Sequence, residues 1–201
     1  MKPTSKNLSL KTLSLIIMAV GFLFSLSGNI LLYSMNNQLS STLEDEKLLV
    51  VGNIAFSLES LSYLPMPGPL AREKYSNISI VEISNRHIVY NSQYGRRSIQ
   101  QLIMLDSTHS KNLQQIDELF ISFGIFADNL NRLVSENKTS NAIALIDGFS
   151  KTMSDLPRHL GWTLQSAYGE RGTIDERELE RASEQTAQIR ALLESMITGT
   201  G

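Results

Sequence analysis

The chain has 201 residues, 42% of them hydrophobic, a formal net charge of −2 and no cysteine. These totals exclude a compositionally disordered chain, a disulfide framework and any thiolate or zinc–thiolate chemistry. Charge is uneven: Lys2, Lys6 and Lys11 precede an apolar run, and the chain beyond that run carries fifteen cations against twenty anions, a net −5 that offers no basic surface to nucleic acid.

The apolar run is Leu13–Tyr33, without one charged residue. As a helix rising 1.5 Å per residue it covers about 30 Å, the thickness of a bilayer's hydrocarbon core. A single transmembrane helix is expected here. Asn29 is its one costly residue, and Tyr33 suits the interfacial belt. A cleaved signal peptide is the rival, with Ser25 and Ser27 at the small-residue positions before a cut. Against it, Ile30, Leu31 and Leu32 resume the apolar character. The three lysines put the N-terminus in the cytoplasm by the positive-inside rule. The expected organisation is a cytoplasmic tail over 1–12, a membrane helix over 13–33 and an extracytoplasmic, periplasmic helical domain over 34–201.

From Met35 to Leu64 a helix is expected to continue, with Leu39, Leu43, Val50, Ile54, Leu61 and Leu64 near one face. Pro65, Pro67, Gly68 and Pro69 stop it. Over 78–90 the β-branched runs flanking Ser84-Asn85-Arg86 predict a small β-hairpin. The rival is a helix with Ile78, Val81, Asn85 and Ile88 on one face. Next, Leu113, Ile116, Phe120, Phe123, Ala127, Leu130 and Val134 follow a strict 3-4 spacing, which predicts a long helix with one apolar seam. Ile146, Phe149, Met153, Leu156 and Leu160 extend the pattern across Pro157, so a kink or two short helices are expected, with Ser154 or Asp155 as a cap. Thr173 and Glu176 fit a capping box. The final helix carries Leu179, Ala182, Thr186, Ile189, Leu193 and Met196. The fold class is mainly α: one membrane helix, then an antiparallel up-down bundle.

No constellation reads as an enzyme's. His87, His109 and His159 belong to no metal-binding motif, and Asp106 with His109 supplies two candidate ligands where a site needs more. Asp117-Glu118 and Asp175-Glu176 read as solvated faces or partners of a helix N-terminus. No phosphate loop or G-x-S-x-G stands in the chain, and no cofactor is expected. The candidate ligand-binding residues are Arg86, Tyr94, Arg96 and Arg97, because guanidinium groups clamp carboxylate or phosphate. Trp162, the sole tryptophan, is expected to close the end of the bundle rather than line a pocket.

A basic N-terminus, an apolar span and a long helix entering an extracytoplasmic domain together resemble the N-terminal half of bacterial transmembrane receptors, the methyl-accepting chemotaxis proteins and sensor histidine kinases. The resemblance implies a ligand-sensing or signal-receiving domain at the inner membrane, working as a homodimer and open to a small-molecule ligand. Such receptors carry a second membrane helix and an output module. This sequence carries neither, so it is expected to be a fragment, its last helix running back toward the membrane, or a complete single-pass protein. The alternative from another class is a structural or adaptor subunit of an envelope assembly, whose partner is another protein.

Overall fold

The computed structural model describes residues 10–63, 75–169 and 173–199. The proline-rich turn at Pro65–Pro69 lies outside them, as do Lys2 and Lys6. Nothing is described for the side chains of residues 10–14, 16, 17 and 19. Contacts divide the chain into two units, Met1–Leu43 and Glu44–Gly201.

Among the described residues there are six α-helices and no strand: α1 (Leu10–Ser62), α2 (Asn77–Leu105), α3 (Ser110–Ser135), α4 (Thr139–Met153), α5 (Leu156–Ala167) and α6 (Glu176–Thr198). A short 3-10 turn, Ser107–His109, joins α2 to α3. The helical bundle is as expected.

The first unit holds the leading part of α1. Its described large apolar side chains, from Leu15 to Tyr33, are exposed. Among the described residues no helix is long and apolar enough to cross a membrane. Leu13, Ser14, Ile16, Ile17 and Ala19 of the expected span have side chains outside the description.

In the second unit, Val50, Val51, Ile54, Leu58 and Leu61 of α1 enter the core; Leu39 and Leu43 of the expected face belong to the first unit and are exposed. The seam of α3 is buried from Leu113 to Leu130, with Val134 packed against its edge. Phe149 of α4 meets Phe123 and Phe126 of α3, with ring centroids 6.1 and 4.9 Å away. These aromatic contacts add to the transfer free energy of the burial itself. In α6, Leu179, Ala182, Thr186, Ile189 and Leu193 are buried as their spacing requires.

The hairpin expected over 78–90 is replaced by helix α2. Ser76 caps it, its hydroxyl accepting from the Ser79 amide. The buried face of α2 alternates Ile80, Val81, Ile88, Ile99 and Leu102 with Ser84, Asn85, Asn91, Ser92, Gly95 and Ser98. Small and polar residues at half the core positions erase the apolar periodicity that marks a helix in sequence, leaving the β-branched residues to suggest strands.

The remaining boundaries have local causes. α3 ends in a Schellman turn: Lys138 N–H donates to Leu133 C=O and Asn137 N–H to Val134 C=O, with Asn137 at φ +60°. Asparagine tolerates that left-handed conformation better than most residues. Pro157 opens α5, where its missing N–H costs nothing. Asp155 precedes α5 without a side-chain cap bond and holds Arg158 instead, at 2.5 Å. At α6 the cap is Asp175, not Thr173: its carboxylate accepts from the amides of Arg177 and Glu178.

Cross-helix bonds fix the directions. Gln101 meets Glu46 and His87 meets Ser60, so α2 runs against the Glu44–Ser62 part of α1. Arg96 meets Asp117 and Asn85 meets Asn131, so α3 runs against α2. Arg158 meets Tyr63 and Gly161 lies against Ala55, so α5 runs against α1. His109 meets Glu176 and Arg190 meets Glu118, so α6 runs with α3. The last helix is therefore parallel to Glu44–Ser62. The expectation that it runs back along the first helix is corrected, because the passes before it are even in number.

Candidate functional site

Three features of the second unit have the exposure or chemistry of a site. The first is the outward strip of α2. Arg86, Tyr90, Tyr94 and Arg97 recur at intervals of four, four and three, so they share one helical face. All four are exposed. The Tyr90 and Tyr94 rings lie nearly parallel, 3° between planes and 6.4 Å between centroids. Arg86 and Arg97 bracket them about 16 Å apart along the axis, at 1.5 Å per residue. Among the described residues neither arginine takes part in an ion pair.

Of the residues singled out from sequence, the fold thus gathers Arg86, Tyr94 and Arg97 on one strip and turns Arg96 elsewhere. Arg96 points toward α3, its Nε donating to Asp117 at 3.3 Å. There it borders an open groove of about 290 Å³ floored by Val89, Phe120, Ile121 and Ile125. Tyr90 is the member that sequence reading missed. Its signal was the four-residue spacing from Arg86 and to Tyr94, visible only once the segment is read as a helix.

The second feature is an aromatic groove between α1 and α5. Trp162 does not close the bundle; it is half-exposed and, with Phe56, Glu59 and Arg158, lines an open groove of about 230 Å³. The Arg158 guanidinium lies 5.0 Å from the Trp162 ring centroid and donates to the Tyr63 hydroxyl at 2.6 Å. Behind the groove, Gly161 lets α5 approach α1 closely, because a Cβ there would lie 3.1 Å from Ala55 Cα, tight against backbone. Gly52 forms part of the lining, with open space beside it.

The third is a polar cluster where the α2–α3 turn meets the start of α6. His109 Nδ1 contacts the Asp106 carboxylate at 2.8 Å, and Nε2 contacts Glu176 at 2.8 Å. The Tyr168 hydroxyl donates to Asp106 at 2.7 Å. With a carboxylate at each ring nitrogen, the imidazolium form donates from both. Burial alone would lower the His109 pKa, but the hydrogen bonds to Glu176 and Asp106, with their charges, outweigh it and raise it. Burial alone would raise the Asp106 pKa, but the bonds from Tyr168 and His109 outweigh it and hold it low. Burial and the bond to Asp106 push the Tyr168 hydroxyl up. No group of three or more His, Asp or Glu among the described residues is arranged to hold a metal ion. The cluster is a tie between chain segments.

No protein-family model, curated protein or solved structure matches the chain.

Proposed function

We propose that the chain is a membrane-anchored extracytoplasmic domain that receives a signal by binding, as the sensor region of a bacterial transmembrane receptor does. The observation that carries this reading is the leading part of α1. No charged residue stands between Lys11 and Glu44. Leu15, Met18, Phe22, Leu23, Phe24 and Ile30 to Tyr33 are all exposed there, on every side of the helix. A helix apolar all round is stable only when something other than water covers it. A bilayer does so over about 20 residues. The three basic residues ahead of the run orient the bulk of the chain outward, into the periplasm of a bacterium with two membranes. A receptor with one crossing per chain signals by two chains moving relative to each other, so a homodimer belongs to the reading.

The test is extraction and topology of the full chain in its own cells. It stays with the inner membrane through an alkaline carbonate wash, and protease added to spheroplasts digests the bundle. Release by carbonate, or protection of the bundle in intact spheroplasts, overturns the proposal.

A second reading, a single-pass structural or adaptor subunit of an envelope assembly, is favoured by one observation. α6 runs parallel to Glu44–Ser62, so it does not lead back toward the end where α1 enters the second unit. The two readings separate on a thermal-shift screen of the detergent-solubilised full chain against small metabolites. A saturable rise in melting temperature supports sensing. A stable hetero-complex recovered from the membrane, with no such shift, supports the adaptor.

A further inference from the structure

We propose that the outward strip of α2, from Arg86 to Arg97, docks an acidic segment of another protein. Such docking is independent of how the chain meets the membrane.

The strip brings two cations without a carboxylate partner onto one helical face; among the described residues Lys111, Lys151 and Arg177 also hold none, but each stands on a different helix. Arg96, Arg132, Arg158, Arg181 and Arg190 each hold a carboxylate. Arg86 and Arg97 hold none among the described residues, although the chain after Leu13–Tyr33 carries a net −5. Arg86 and Arg97, neither in an ion pair among the described residues, with exposed Glu82 one turn before Arg86, present two guanidinium groups on one strip of an acidic body, complementary to carboxylates of an anionic partner, which suppresses wrong partners and fixes register.

The residues between the two arginines supply a contact surface. Tyr90 is 68% exposed, and its ring runs parallel to that of Tyr94. Tyrosine offers a large, stiff, amphipathic surface, and tyrosine and arginine are the residue types on which interface binding energy concentrates. Ile83, 40% exposed, adds apolar area on the same side.

The geometry then describes the occupant. It carries two carboxylates about 16 Å apart, three helical turns, with an aliphatic side chain between them to lie on the tyrosines. A second copy of this chain is disfavoured, because a two-fold contact across the strip sets arginine near arginine. Nucleic acid and anionic lipid gain little from two cations.

The experiment uses the full chain in its own cells, with Tyr90 replaced by the photo-crosslinking residue p-benzoylphenylalanine. The expected adduct is a protein whose crosslinked segment, read by mass spectrometry, is acidic. Its yield falls about ten-fold or more with Arg86→Glu and Arg97→Glu, the loss of roughly 1.4 kcal/mol of binding. The yield returns when the segment's acids are changed to lysine. Arg86→Gln with Arg97→Gln gives the same loss and serves where the reversed pair lowers expression. An adduct to lipid or to a second copy, a captured segment without acids, a yield that ignores the arginines, or no adduct at all overturns the proposal.

Discussion

The ring of Phe120 occupies the space that any side chain at Gly95 would need: a Cβ on Gly95 would lie 2.2 Å from Phe120 Cε1. Phe120 is itself buried, so its ring must leave its packed position, toward the groove it floors, before any side chain fits at Gly95. Glycine in mid-helix costs α2 about 1 kcal/mol relative to alanine, and close packing against α3 offsets that cost. Gly95→Ala is expected to destabilise by about 1–2 kcal/mol, overpacking outweighing the gain in propensity. Gly124 in α3 is the control, with nothing within 4 Å of a built Cβ. Gly124→Ala is expected to stabilise by up to about 1 kcal/mol. Urea titrations of the two variants give opposite signs.

The tie among Asp106, His109, Tyr168 and Glu176 makes stability depend on pH. The folded-state pKa of His109 is raised above 6.5, so its contribution is whole below 6.5 and is lost as pH rises through that raised value. Asp106 is depressed below 3.8, so its contribution is whole above 3.8 and is lost as pH falls through the depressed value. Lys47 adds its charge on the Asp106 side. The advantage in melting temperature of the native chain over His109→Gln is therefore largest near pH 5 and shrinks toward pH 8. A difference that is constant across this range sinks the assignment.

Asn85 and Asn131 share a side-chain hydrogen bond of 2.6 Å across α2 and α3. A double-mutant cycle with Asn85→Ala and Asn131→Ala is expected to show a coupling of about 1 kcal/mol. The coupling vanishes if the two amides act independently.

Trp162 reports on its groove by fluorescence, with no other tryptophan to confuse it. The Arg158 guanidinium lies against its ring and bonds Tyr63 and Asp155. Arg158→Ala is expected to raise the acrylamide quenching constant of Trp162. The cost in stability is small, about 0.5–1 kcal/mol, because the groove is open to water.

The composition of each buried face decides how legible its helix is in the sequence. α3, α4 and α6 bury leucine, isoleucine and phenylalanine at three- and four-residue intervals, so their seams stand out. α2 buries Ser84, Asn91, Gly95 and Ser98 at the equivalent positions, and its helical period is hidden. The cap of α6 lies two residues beyond the one the capping-box pattern predicts because Thr173 and Asp175 both have capping side chains, and only the path of the chain chooses between them. Asp106 and His109 are visibly three apart, but Tyr168 and Glu176 reach them from 62 and 67 positions away. Tertiary structure alone makes that junction. Likewise Arg86 and Arg97 stand out in the sequence as cations, whereas Tyr90 joins them only in a helix.

The serine, asparagine and glycine face of α2 also governs how that helix can move. A wholly aliphatic seam can re-pack one turn away with similar chemistry, once its interdigitated side chains have cleared each other. Here a slip of one turn, about 5.4 Å, would carry Asn85 away from Asn131 and bring the Phe120 ring against a residue with a Cβ. The α2–α3 contact therefore has detents: it holds one alignment or leaves it for another discrete one, and a force applied along α2 would be answered by a step rather than a drift.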